Sequence, residues 1–295
     1  MTATSAKGGP ETAAHEIKRA VRRRYAAAAT RSPGGCCGPA TGCGPAATRP
    51  DLVELSHYSP AELAGLPQDA VEHALGCGNP LAFAGVREGE VVLDIGSGAG
   101  IDVLLASKIV GPAGKVIGLD FTPEMIAKAQ ENAARVGASN VEFRYGDAEQ
   151  MPLDDNSVDW VISNCVINLA PDKRRVFSEV YRVLKPGGRV SISDIVTAGL
   201  PEEVKGQLGL WASCIAGAIE EGAYLRTMRE AGLVDVSVAG RQHYDPASVG
   251  SLVDEVLPDR ADREGVRELL RRKEELVKSI WSAKIVGRKP DMVIG

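Results

Sequence analysis

Val91-Val92-Leu93-Asp94-Ile95-Gly96-Ser97-Gly98-Ala99-Gly100-Ile101-Asp102 is the stretch on which the fold turns. Val91 to Ile95 is an apolar run of strand length, broken only by Asp94, and reads as a buried strand. Gly96, Gly98 and Gly100 follow, and Gly100 to Val110 reads as a helix. A strand, a glycine turn and a helix in that order suggest a nucleotide-type cofactor, because glycine lets the backbone approach a ligand. A dinucleotide fingerprint needs Gly-x-Gly-x-x-Gly, and counting from Gly96 the sixth position is Ile101, so that match fails. A phosphate loop also fails, since no Gly-Lys-Ser/Thr follows. What remains is Gly-x-Gly-x-Gly with Asp94 ahead of it.

Downstream, strand and helix alternate. Lys115 to Leu119 reads as a second strand ending at Asp120. Pro123 to Val136 reads as a helix with proline tolerated in its first turn. Val141 to Tyr145 and Val158 to Ser163 read as strands three and four. Asp172 to Leu184 reads as a helix, and Arg189 to Ile195 as strand five after Pro186-Gly187-Gly188. This alternation specifies an α/β fold: a parallel, Rossmann-like sheet with helices on both faces, whose ligands sit at the carboxyl ends of the strands.

Beyond residue 199 the rhythm changes, and a smaller α+β region is expected. Pro201 to Ile219 and Gly222 to Ala231 look helical, Val234 to Ala239 looks like a strand, and Arg263 to Ile280 like a charged helix. Trp281 to Gly287 returns as a last strand. Ahead of the core, His15 to Thr30 reads as a surface helix with five basic residues between Lys18 and Arg24. Ser32 to Ala47 is a Gly/Pro-rich loop holding Cys36, Cys37 and Cys43. Asp51 to Pro80 is expected to form short helices and turns. The expected organisation is thus 1–50, helix and loop; 51–198, cofactor-binding domain; 199–295, accessory region.

Composition bounds the function. The chain has 295 residues, 44% hydrophobic and 25% charged, enough for a sizeable core in one or two domains. Its formal net charge of −5 gives no basic bias toward nucleic acid. No run of 18 or more apolar residues is present, as a membrane span would need, and Met1 to Pro10 lacks the apolar core of a signal peptide. A cytoplasmic protein is expected. In that compartment the six cysteines would be free thiols rather than a disulfide framework.

The Gly-x-Gly-x-Gly turn after Asp94 resembles that of the class I S-adenosylmethionine-dependent methyltransferases, over about Val91 to Val196. Several features recur in order. Asp120 ends strand two, where an acid can accept both ribose hydroxyls. Gly146-Asp147-Ala148 ends strand three, where an acid can accept from the adenine amine. Val161-Ile162-Ser163-Asn164 ends strand four. The resemblance implies that Asp94, Gly96, Ser97, Gly98, Gly100, Asp120, Asp147, Ala148 and Asn164 surround the cofactor, that Met125 packs on the adenine and that Asp102 sits nearby.

The acceptor is read from what is missing and from sulfur. Methylating a hydroxyl or amide commonly needs a general base, and none of His15, His57, His73 and His243 lies at a strand end. An atom with its own lone pair, such as arsenic or selenium, needs no base. Cys165 follows Asn164 at the end of strand four, Cys77 lies in a tight turn before strand one, and Cys214 lies after strand five. Thiolates are soft ligands, and three of them suit a trivalent, pyramidal metalloid. No Cys-x-x-Cys pair exists, so a permanent structural zinc is not expected.

His57-Tyr58-Ser59, Leu75-Gly76-Cys77-Gly78-Asn79-Pro80, Ser163-Asn164-Cys165-Val166-Ile167-Asn168-Leu169 and Trp211-Ala212-Ser213-Cys214 resemble the arsenite methyltransferases, over about residues 15 to 240. That resemblance implies that Cys77, Cys165 and Cys214 bind trivalent arsenic. It also implies that an N-terminal cysteine, Cys43 or its competitors Cys36 and Cys37, takes part in redox chemistry. Thioredoxin or glutathione would serve as reductant, and a monomer with a small-molecule substrate is expected. Two other readings stand beside it: a methyltransferase of a small organic acceptor, and a non-enzymatic thiol protein that sequesters metalloids.

Overall fold

Five strands lay down the parallel part of the sheet: β1 (Val91–Ile95), β2 (Lys115–Asp120), β3 (Val141–Tyr145), β4 (Val158–Asn164) and β5 (Leu184–Thr197). In the computed structural model, residues 10–30, 58–74, 76–199, 217–243 and 279–292 are described. β6 (Val234–His243) and β7 (Ile280–Arg288) complete a seven-stranded sheet of order β3-β2-β1-β4-β5-β7-β6. The chain order reverses beside β1, whose two neighbours are β2 and β4. In open α/β sheets the ligand crevice lies at such a reversal.

β1 to β5 form the expected parallel sheet, and two strands from the α+β region beyond residue 199 extend it. β7 runs antiparallel to β5, with Ser193 opposite Lys284, and β6 runs antiparallel to β7. Period-2 patterning marks a strand but not its direction. Direction is set by where the connecting chain brings the strand back, and β7 inserts between β5 and β6 from outside the alternating βα units.

Helices cover both faces. α4 (Ile101–Val110) buries Val103, Ala106 and Val110 beneath β1 and β2. On the opposite face α6 (Lys173–Val183) presents Val176, Phe177, Val180 and Val183, an i, i+1, i+4, i+7 stripe that supplies a large part of the main core. Asp172 caps α6 by accepting from the Arg175 N–H at 3.2 Å. α7 (Glu221–Glu230) adds Tyr224 and Met228 to that core, with the Tyr224 ring edge-on to Phe177 at 5.4 Å. α5 (Pro123–Arg135) follows β2. α1 (Pro10–Thr30) lies against α5 and touches the short 3-10 turn Ile167–Leu169. α2 (Pro60–Leu63) and α3 (Gln68–Glu72) fill the segment before β1, as its breakers require. Of the helices expected over Pro201 to Ile219 and Arg263 to Ile280, residues 201–216 and 263–278 lie outside the described residues, 217–219 are not helical and Ile280 already belongs to β7.

Candidate active site

The glycine turn is held open by three left-handed backbones: Gly96, Gly98 and Gly100 have φ of 73°, 51° and 94°, a region that side chains disfavour. Gly96 N–H and Ser97 N–H both donate to the Leu119 carbonyl, which ties the turn to the end of β2. A cavity opens there at the carboxyl ends of β1, β2 and β4. Gly96, Ser97, Gly98, Asp102, Asp120, Met125 and Asn164 line it, so most of the residues expected to surround a cofactor share one concavity. Asp94 is buried within the turn's strand, and Gly100 caps α4 behind the turn.

Asp147 and Ala148 do not reach this cavity. Asp147 lines a second cleft, where Lys18 from α1 donates to its Oδ2 at 2.7 Å, and Ala148 packs against the main core. Burial of α1 residue Val21, far away in sequence, brings Lys18 there, and no local signal in the β3 turn encodes that pairing.

Three carboxyls crowd the turn. Asp120 accepts from Gly98 N–H at 3.0 Å and from Thr122 N–H at 2.8 Å, and burial raises its pKa against those bonds. Burial raises Asp94 well above the usual carboxylate range, with Asp102 and Asp120 adding repulsion. Burial also lifts Asp102 to about 6, while hydrogen bonds from Tyr58 and Asn164 oppose the rise. Such a group of acids favours a cationic ligand, which relieves their mutual repulsion.

Asn164 connects this cavity to the cysteines. Its Oδ1 accepts from the backbone N–H of Cys77 at 2.9 Å and of Gly78 at 3.1 Å. Its Nδ2 faces Gly78 O at 2.6 Å, Tyr58 Oη at 3.0 Å and Asp102 Oδ2 at 3.2 Å. The approach requires glycine: a side chain on Gly76 would overlap the carboxamide, and one on Gly78 would press on Ser193.

Cys77 and Cys165, 88 positions apart, are joined by a disulfide with Cα atoms 5.6 Å apart. The expectation of free thiols is therefore corrected at this pair. Asn164 draws the Cys77 turn onto the end of β4, and Cys165 holds a left-handed backbone (φ 59°) with its N–H donating to Ser193 O at 2.8 Å. A non-glycine residue in that region is uncommon and concentrates at functional sites. Asp194 offers a carboxylate oxygen within 4.8 Å of both sulfurs. It accepts from Asn168 N–H and Nδ2, from Ile195 N–H and from Tyr224 Oη, yet burial raises its pKa to about 7. The Ser282 hydroxyl of β7 stands 3.9 Å from Cys77 Sγ, so the C-terminal strand reaches this site too. Cys214, Cys43, Cys36 and Cys37 lie outside the described residues.

Sequence reasoning missed several wall residues. Phe121 and Thr122 directly follow Asp120 and could have been found by extending the strand end. Tyr25 of α1 carries no signal of its own. His73 also lines the cavity, although it lies at no strand end; its Nδ1 is 2.8 Å from Asp69 O.

A family profile described as a methyltransferase domain matches residues 87–232. The crystal structure of an arsenic(III) S-adenosylmethionine methyltransferase from Chlamydomonas reinhardtii superposes with a TM-score of 0.63 at 34% identity, over 80% of this chain and 73% of that one. An arsenite methyltransferase of Halobacterium salinarum is 47% identical over 76% of this chain and 59% of its own length. One from Aquipseudomonas alcaligenes is 39% identical over 54% of this chain and 48% of its own. The chain thus spans about half to three fifths of these curated relatives. With the glycine turn and its acids at the sheet's reversal point, these matches make the chain a class I S-adenosylmethionine-dependent methyltransferase. Within that class it belongs to the arsenic(III) methyltransferase family.

The residues present fit that cofactor. Ser97 Oγ, in the cavity wall, is buried without a hydrogen-bond partner, a polar atom that a ligand would satisfy. The three acids match a ligand bearing positive charge.

Proposed function

We propose that this chain moves methyl groups from S-adenosylmethionine to trivalent arsenic held by cysteine thiolates, and so serves arsenic detoxification. The observation that carries the reading is the meeting of Cys77 and Cys165 one residue from Asn164, on the edge of the glycine-turn cavity. The reading takes Cys77, Cys165 and Cys214 as the arsenic ligands. Asp94, Gly96, Ser97, Gly98, Gly100, Asp102, Asp120, Met125 and Asn164 are its cofactor residues; Asp147 and Ala148, which do not reach the cavity, are not among them.

S-adenosylmethionine supplies an electrophilic methyl group on a sulfonium. The chain's own residues then have four tasks. Asp120 braces the glycine turn through Gly98. The buried acids favour the positively charged ligand over its neutral-sulfur product. Asn164 holds the Cys77 turn beside the cavity. The apolar walls, Met125, Ile101 and Val166 among them, exclude water. Arsenic is its own nucleophile through its lone pair, so no side chain has to remove a proton from the acceptor.

The disulfide gives the cycle a defined starting requirement. As(III) binds thiolates, so the Cys77–Cys165 bond must first accept two electrons and two protons from a thiol reductant of the thioredoxin or glutathione kind. Methyl transfer formally oxidises the arsenic by two electrons. Closing a cysteine pair to a disulfide returns two electrons to it. Cys43, with Cys36 and Cys37 as competitors, is the proposed further redox partner.

The test is to mix full-length protein, S-adenosylmethionine, arsenite and a thiol, and to identify the arsenic species formed. Methylated arsenic is expected. Cys165→Ser and Cys214→Ser should abolish it while the cofactor still binds, and retained methylation in either variant would refute their role as ligands.

A further inference from the structure

We propose that Asn164 is a positioning residue that couples the methyl-donor pocket to the Cys77–Cys165 pair, so that cofactor-site occupancy and the redox state of the pair govern one another. The proposal rests on the reading of the glycine-turn cavity as the cofactor site. It does not depend on arsenic being the acceptor.

One carboxamide faces both sites. On the sulfur side Asn164 Oδ1 accepts from the Cys77 and Gly78 N–H groups, and Nδ2 donates to Gly78 O. On the cofactor side the same Nδ2 faces Tyr58 Oη and Asp102 Oδ2, while Tyr58 Oη donates to Asp102 Oδ1 at 2.7 Å. Two N–H bonds thus serve three oxygens, so a shift of the Gly78 carbonyl redistributes what Asp102 and Tyr58 receive. Gly76, Asn164 and Asp102 are walls of the cavity. Cys165 is the residue after Asn164 and sits in a left-handed backbone. The disulfide therefore clamps both ends of the Cys77–Gly78–Asn164–Cys165 unit.

A closed disulfide pre-orders this wall. Opening it removes the covalent tie and leaves the Cys77 turn to the Asn164 carboxamide and the weaker contacts of Cys77 Sγ with Ser193 O and Ser282 Oγ, so a ligand that needs the wall in place must then pay for ordering it. The oxidised chain should accordingly bind the cofactor product more tightly than the reduced chain. By linkage, the bound product must make the disulfide harder to reduce by the same factor. The consequence for turnover is that retained product slows the two-electron, two-proton reduction of the pair by an external dithiol.

The experiment measures S-adenosylhomocysteine affinity by calorimetry on the full wild-type chain, oxidised and after reduction with dithiothreitol. At least threefold tighter binding to the oxidised chain is expected. The midpoint of disulfide reduction in a dithiothreitol redox buffer should shift by about 14 mV or more on adding saturating S-adenosylhomocysteine, the equivalent of threefold for a two-electron couple. Cys77→Ser, which cannot form the bond, should show one affinity under both conditions, near the reduced wild-type value. Asn164→Ala should bring the ratio toward one while thiol counting shows that the bond still forms. Tyr58→Phe, which keeps the carboxamide but removes one of its partners, should lower the ratio and serves if Asn164→Ala does not fold. Equal affinities of the two wild-type forms overturn the proposal. So does tighter binding to the reduced form, a ratio that survives in Cys77→Ser, or a ratio unchanged in the folded Asn164 and Tyr58 variants. Loss of arsenite methylation with the ratio intact would count against the proposed function alone.

Discussion

Lys18 Nζ on α1 stands 2.7 Å from Asp147 Oδ2 and 2.6 Å from Glu149 Oε2, so the first helix is tied to the turn after β3 across more than 125 positions. Hydrogen bonds and attraction from both acids raise the lysine's pKa against the burial that lowers it. The side chains of Lys18 and Asp147 are 31% and 38% exposed, which leaves that bridge screened, but the Glu149 side chain is only 8% exposed. Lys18→Met should therefore destabilise the fold by about 1–3 kcal/mol, since it leaves the Glu149 carboxylate without its cation. Urea denaturation would check it, and the deficit should shrink in 1 M salt as screening weakens the wild-type bridge.

On the proposed reading of the cavity, Asp102 would set a pH limit on cofactor binding. Burial lifts its carboxyl to about 6, so it is charged at pH 7.5 and protonated at pH 5. A neutral Asp102 offers less to a positively charged ligand, so S-adenosylmethionine affinity should fall as pH drops through about 6. Asp102→Asn should weaken binding at pH 7.5 by about 1–3 kcal/mol and flatten the profile. Calorimetric titration between pH 5 and 8 reads both effects, and a wild-type profile that stays level would count against this role.

The stability of the ligand-free chain should move the other way. Asp102 and Asp194 have folded pKa values of about 6 and 7, above the unfolded value near 3.8. Between roughly pH 4 and 7 the folded state therefore binds more protons than the unfolded one, and stability from these groups declines as pH rises. Unfolding midpoints in urea at pH 5.5 and 7.5 should show it. Tyr224→Phe, which removes one donor to buried Asp194 and keeps the contact with Phe177, should cost about 1–2 kcal/mol, more at pH 8 than at pH 6.

Gly76→Ala tests the close approach of the Cys77 turn to β4. Its methyl group would overlap the Asn164 carboxamide. Displacing either partner should cost about 1–3 kcal/mol as overpacking and should weaken S-adenosylhomocysteine binding. Thermal unfolding and calorimetry on the same variant check the two effects, and wild-type behaviour in both would show that the turn can shift freely.

Much of the architecture was legible because it is written in short windows. The glycine turn, Asp120 at the end of β2, Pro123 at the start of α5 and the five parallel strands follow from local periodicity and turn chemistry. So does the placing of Asn164 and Cys165 at the end of β4, and with it the choice of carboxyl-end residues as candidates.

Other features depend on packing summed over the whole sheet. Nothing near Asp147 tells that Lys18 will pair with it, and nothing near Trp281 tells that β7 will run antiparallel between β5 and β6. Cys77 and Cys165 each read as one thiol in a turn. Their bond exists because two glycines let one carboxamide pull the turns together, with Ser193 and Asp194 of β5 behind them. Residue order along the chain settled which atoms lie at the strand ends. Close packing across the sheet settled which of them meet, since only long-range burial selects one convergence among many that local geometry allows.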